Sequence, residues 1–139
     1  MRHVFRGLML LCVLISTPGQ ADAGYPERIK EFVEAFNNHD SKLMSQYVTD
    51  DVQWLSINGD AIAVESSGKA ALVKAMRGYF ESCSTCQSKL LETSVLGSRV
   101  STIEEASWRQ NGERHAQQSL AVYEFADNLI RRVYYFPAE

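Results

Sequence analysis

The spacing of apolar residues changes period along the chain. After Pro26, the residues Ile29, Phe32, Val33 and Phe36 recur at helical intervals, which predicts an amphipathic helix over Pro26–Asn38. Asn37-Asn38-His39 interrupts that pattern, and Asp40 offers an N-cap for a second helix with the stripe Leu43, Met44, Tyr47 and Val48. Val52 and Trp54 then alternate as a short strand, Asn58-Gly59-Asp60 marks a turn, and Ala61–Glu65 reads as a second short strand. Ser66-Ser67-Gly68 opens a third helix that carries Leu72, Val73, Met76, Tyr79 and Phe80 on one face. Beyond Gln87 the pattern is that of strands, at roughly 88–96, 99–110, 113–125 and 129–136. Three helices in the N-terminal half and a run of antiparallel strands after them predict an α+β domain.

The dipeptide Asn111-Gly112 is the strongest hairpin signal in the chain, and a two-residue loop there fixes a register. Trp108 then faces His115, Ala106 faces Gln117, Glu104 faces Ser119 and Thr102 faces Ala121. Because side chains alternate with period two, these eight residues share one face. Glu105, Ser107, Arg109, Arg114, Gln118 and Glu124 occupy the other, which reads as solvated or interfacial.

The first twenty-three residues carry a different pattern. Arg2 and Arg6 precede an apolar run from Leu8 to Ile15, and Ala21-Asp22-Ala23 ends the segment with small residues. These are the parts of a secretory signal cleaved after Ala23, leaving 24–139 as one domain. Eight apolar residues are too few to span a hydrocarbon core of ~30 Å, so no stable membrane insertion is expected once the signal is removed. The expected destination is periplasmic or secreted. The remaining 116 residues carry a net charge of −4, which argues against a nucleic-acid partner. Such a length suffices for one hydrophobic core without obligatory cross-links.

The ordered elements resemble the nuclear transport factor 2-like superfamily, and in particular its SnoaL-like and ketosteroid isomerase-like members. The resemblance rests on Phe32-Val33-Glu34-Ala35-Phe36-Asn37-Asn38-His39-Asp40, on Tyr47–Trp54, on Ser67-Gly68-Lys69-Ala70-Ala71-Leu72, and on Val122–Phe125 with Ile130–Phe136. It covers nearly all of 25–136. It implies a cone, in which a curved antiparallel sheet wraps three helices around a pocket. It further implies a homodimer paired through the outer sheet face. Ketosteroid isomerases use an Asp base and an oxyanion hole of a Tyr and a protonated Asp. Matched residue by residue, those positions fall on Phe32, Ser56 and Ala121, none of which can serve. The resemblance therefore implies a pocket without steroid-isomerase chemistry.

The pocket residues expected from this placement are Phe32, Phe36, Trp54, Trp108 and either Tyr79 or Tyr123 as walls, with Ser56, Glu104, His115, Gln117 and Ser119 as polar groups. That mixture suits a small apolar or amphipathic molecule; the alternative is a core filled by the two Trp side chains. Glu104 and His115 are the ionisable residues on the inner hairpin face. A carboxyl buried beside Trp has a raised pKa and can act as a general acid or base, which gives an alternative reading as a lyase, isomerase or cyclase acting on a carbonyl compound. The plainer alternative is a rim histidine and a glutamate bonded to Ser119. A third reading is a protein-interaction module that uses the outer sheet face. Cys83 and Cys86 are close enough in an exported chain to form a disulfide. Their place after a helix C-terminus disfavours a redox thiolate. A zinc site with that pair would need two further ligands, for which His39 and His115 alone remain as histidines of the mature chain, and no metal or cofactor is expected. His39 reads as a solvated turn residue. Arg131 and Arg132 point to opposite faces, and an inward Arg132 would offer a contact for an anionic ligand group.

Overall fold

The computed structural model describes residues 24–138; the export segment expected at 1–23 lies outside the described residues. Helix α1 (Tyr25–Asn37) has Pro26 in its first turn and buries Tyr25, Ile29, Phe32 and Val33, the spacing of one helical face. Tyr25 stacks on Phe125 with ring centroids 4.2 Å apart, which ties the start of the helix to the sheet. Asn38 ends the helix, and His39 follows in a left-handed conformation with φ 54°. Helix α2 (Ser41–Met44) is capped by Asp40, whose Oδ1 accepts the Leu43 N–H at 2.8 Å. It is shorter than its apolar stripe predicts. A 3-10 turn occupies Ser45–Tyr47, and Val48 already belongs to strand β1 (Val48–Asn58), which is correspondingly longer than the strand read around Val52 and Trp54. The β-branched pair Val48-Thr49 favours extended backbone, and Val48 pairs with Ile130.

Strand β2 (Ala61–Ser67) and helix α3 (Lys69–Ser82) follow, and then β3 (Gln87–Leu96), β4 (Arg99–Gln110), β5 (Glu113–Ala126) and β6 (Leu129–Phe136). The strands form one curved sheet in the order β2-β1-β6-β5-β4-β3. The sheet is mixed, which corrects the all-antiparallel expectation: β1 and β6 run parallel, and every other neighbouring pair is antiparallel. Alternation along a strand carries no information on the direction of its neighbour. The β5–β6 hairpin sets the direction of β6, which then fills the place beside β1. Strand β4 pairs with β5 in the register set by Asn111-Gly112, with Trp108 opposite His115 and Thr102 opposite Ala121.

Helices α1 and α3 cover the inner sheet face. Ile29, Phe32 and Val33 from α1 and Leu72 and Phe80 from α3 meet Val52, Val100, Tyr123, Ile130 and Val133 in one buried cluster. Gly68 joins β2 to α3 with φ 91° and ψ 150°, a conformation essentially restricted to glycine. Its N–H donates to the Val52 carbonyl at 2.7 Å. An added Cβ would meet the Asp50 carbonyl at 3.8 Å, an ordinary contact, so the cost of a side chain there is conformational. Gly68→Ala is expected to lower stability by about 1–3 kcal/mol, read as a lower urea midpoint with an unchanged slope.

A polar corner secures the end of α1. Asn37 Nδ2 donates to the Ser88 carbonyl at 2.8 Å, while the Ser88 N–H donates to Asn37 Oδ1 at 2.7 Å. His39 is not a solvated turn residue: its Nε2 lies 2.9 Å from the Cys86 carbonyl oxygen and its ring stacks on Phe80 at 4.6 Å. Cys83 and Cys86 form the expected disulfide in the same corner, after α3. A ring this small removes little chain entropy, so reduction should cost no more than about 2 kcal/mol. Thermal melts with and without reductant check this; complete unfolding on reduction would contradict it.

Candidate functional site

The sheet register lays the inner side chains in rows. Ser66 of β2, Trp54 of β1, Val133 of β6, Tyr123 of β5 and Val100 of β4 form one row. Ser56, Tyr135, Ala121 and Thr102 form the next. Ser119 and Glu104 follow, and then Gln117, Ala106 and Ser88. Where the rows and the helices do not meet, a cavity of about 420 Å³ remains. Phe32, Val33 and Phe36 of α1 and Ala75, Met76 and Tyr79 of α3 wall one side. Trp54, Tyr123 and Tyr135 wall the other, and the polar groups are Glu65, Ser66, Ser88, Glu104 and Gln117.

Glu104 is the buried ionisable group of the cavity, 8% exposed. Its Oε1 accepts two hydrogen bonds, from the Tyr123 hydroxyl at 2.7 Å and the Thr102 hydroxyl at 2.8 Å. Both land on the same oxygen, which leaves Oε2 without a side-chain partner among the described residues. Burial raises the carboxyl above its ordinary pKa, and the two hydroxyls partly oppose that shift by stabilising the anion. The same burial, together with the neighbouring Glu104, raises the Tyr123 phenol well above its usual value. Tyr123 therefore stays a donor, and Glu104 is the acid–base candidate of this pair.

Of the residues expected from the sequence, Phe32, Phe36, Trp54, Glu104, Gln117 and Tyr123 border this cavity, as does Tyr79. Others do not. Trp108 stacks on His115 near the hairpin tip, with centroids 5.7 Å apart, and neither borders the cavity. The register puts His115 opposite Trp108, four pairs along from Glu104, so the structure does not unite Glu104 and His115 as an acid–base pair. Ser56 donates to Glu65, and Ser119 accepts from the Tyr135 hydroxyl at 2.8 Å; neither serine borders the cavity, although both of those partners do. Ser119 is consequently not the partner of Glu104. Arg132 lies with Glu124 and Gln53 rather than in the cavity, and Arg131 pairs with Asp51. Among the described residues no group of three His, Cys, Asp or Glu is placed to hold a metal ion.

Glu65, Ser66, Ser88 and Tyr135 are polar or aromatic cavity residues that the sequence did not single out as functional candidates. Trp54 pairs with Ser66 and Leu55 with Val64, so Glu65 is the extra residue of a bulge. A bulge turns side chains off the regular alternation, and here both Glu65 and Ser66 border the cavity. The Ser66 hydroxyl is buried and has no hydrogen-bond partner among the described residues. No local signal announces that bulge, because it arises from the pairing of two strands.

The family model of the SnoaL-like domain matches residues 29–133. No curated protein matches the chain. Among solved structures, a cystatin-fold protein from Novosphingobium aromaticivorans superposes with a TM-score of 0.70 at 20% identity, over 80% of this chain and 96% of that one. A protein assigned as a SnoaL-like polyketide cyclase, from Jannaschia sp. CCS1, gives 0.71 at 11% identity, over 86% and 89%. An LEH-like epoxide hydrolase from M. tuberculosis gives 0.67 at 15% identity, over 83% of each chain. Identities this low speak to the fold, the α+β cone. The family match spans every described element but the first turn of α1 and the end of β6, and the chain belongs to the SnoaL-like domain family.

Proposed function

We propose that this protein binds a small apolar or amphipathic molecule in the cone cavity and orients it with Glu104. The observation that carries this reading is the combination of aromatic walls with one buried carboxyl whose Oε2 has no side-chain partner. Apolar walls supply most of the affinity of such a site, and a few polar groups set orientation. Trp54 borders the cavity while Trp108 stacks on His115 at a distance from it, so a ligand should quench one tryptophan and spare the other. The test is a titration with 4-phenylbutan-1-ol, followed by fluorescence in the parent and in Trp108→Phe. Saturable quenching with a rise in melting temperature supports binding. Absence of both, here and with larger aryl alcohols, refutes it.

A second reading is a lyase, isomerase or cyclase acting on a carbonyl-containing substrate, with Glu104 as the acid–base group. It is favoured by the raised carboxyl pKa and by the likeness to a cyclase-type structure. His115 has no part in it. Glu104→Gln would then abolish turnover and retain binding.

The setting belongs to the same proposal. The disulfide after α3 agrees with export to the periplasm or beyond. The exposed Leu120 stands opposite Ile103 on the outer face, in keeping with a homodimer paired there. Light scattering of the purified chain tests the dimer; a monomer at micromolar concentration rejects it.

A further inference from the structure

The cavity has a charge character that its apolar walls conceal. Two carboxylates, Glu65 and Glu104, border it, and among the described residues no lysine, arginine or histidine does. Arg132, the residue that the sequence offered as a contact for an anionic group, is engaged elsewhere by Glu124 at 3.0 Å. Ser66 also lines the cavity, and its hydroxyl is buried with no hydrogen-bond partner among the described residues.

Resting on the ligand-binding reading above, we propose that the cavity selects an organic cation: an amphipathic amine whose ammonium group meets Glu104 Oε2 and whose tail lies among the aromatic rings. Three features act together. An ammonium presents only donors, and Oε2 is an acceptor whose twin oxygen already has both of its donors. The aromatic rings of Trp54, Tyr123 and Tyr135 line the cavity, and such rings attract a desolvated cation through their quadrupole. A ligand carboxylate finds the opposite. It would be desolvated beside two like charges with no basic side chain to receive it.

The experiment uses three molecules that share one tail: 4-phenylbutylamine, 4-phenylbutan-1-ol and 4-phenylbutyrate, titrated calorimetrically into the whole protein near pH 7. The amine should bind at least about tenfold more tightly than the alcohol, and the carboxylate more weakly than either. Glu104→Gln keeps an oxygen for Tyr123 and Thr102 and turns an amide N–H₂ toward the cavity. It should bring amine and alcohol to within about threefold of one another while alcohol binding persists. Alcohol binding without preference for the amine, or tighter binding of the carboxylate, overturns the cation proposal and leaves the ligand-binding reading standing. Binding by none of the three overturns both.

Discussion

Replacing Glu104 by leucine will lower the unfolding free energy by about 2–5 kcal/mol, because it leaves two buried hydroxyls without an acceptor. Tyr123 and Thr102 are each 1% exposed, and both donate to Glu104 Oε1. Glutamine keeps that oxygen and should cost less than about 1 kcal/mol, so the gap between the two variants measures the hydrogen bonds and not the shape. Urea unfolding of both proteins at one pH is the measurement. Equal stabilities would show that the two hydroxyls find other partners.

The same carboxyl makes stability depend on pH in a definite direction. Burial raises its folded pKa above the unfolded value, so between those two values the folded protein holds a proton that the unfolded chain has lost. Stability from this group is therefore greatest below the ordinary carboxylate range and falls as pH rises through the folded pKa. The difference between the parent protein and Glu104→Gln should accordingly shift against the parent from about pH 4 to about pH 7. A flat difference over that range would mean that the carboxyl is not desolvated in solution.

Filling the cavity is the second large effect. Ala106 lies on the inner face of β4 between Ser88 and Gln117, and all three border the cavity. Strand geometry aims a side chain at this position inward. Ala106→Phe should weaken the binding of 4-phenylbutan-1-ol by more than about tenfold, equivalent to about 1.4 kcal/mol. Stability should move by less than about 1 kcal/mol, because the ring enters space that is already open. Unchanged affinity in a stably folded Ala106→Phe protein would place the binding site outside this cavity.

Most of the fold could be read from local pattern. The helical stripe of Ile29, Phe32, Val33 and Phe36, the cap at Asp40 and the Gly68 start of α3 all act over a few residues, and each recurs in the structure near its expected place. The β4–β5 register followed from one dipeptide, since a two-residue loop leaves no freedom in pairing. The exceptions are informative. Val48 and Tyr47 fit a helical stripe, but Tyr47 ends a 3-10 turn and Val48 starts a strand, because pairing with Ile130 claims it. A contact between residues so far apart in sequence leaves no trace in either neighbourhood.

The site divides along the same line. Placing Glu104 on the inner face required only alternation from the hairpin, and the walls Phe32, Phe36 and Trp54 required only their helical or strand faces. Which of the inward residues border open space, and which are spent on one another, was beyond local reading. Ser56 went to Glu65 and Ser119 to Tyr135, while the Trp108–His115 stack formed near a hairpin tip away from the cavity.

The pattern of apolar and polar positions by itself determined the α+β class, the central hairpin and the inward face that carries Glu104, because caps, turns and alternation are local and short in range. Only the tertiary structure decided the parallel pairing of β1 with β6, the bulge that turns Glu65 and Ser66 to the cavity, and the acceptance of the Tyr123 and Thr102 hydroxyls by a single oxygen of Glu104. Those depend on strands and side chains distant in the chain meeting at fixed distances, and hydrogen-bond geometry discriminates at a few tenths of an ångström.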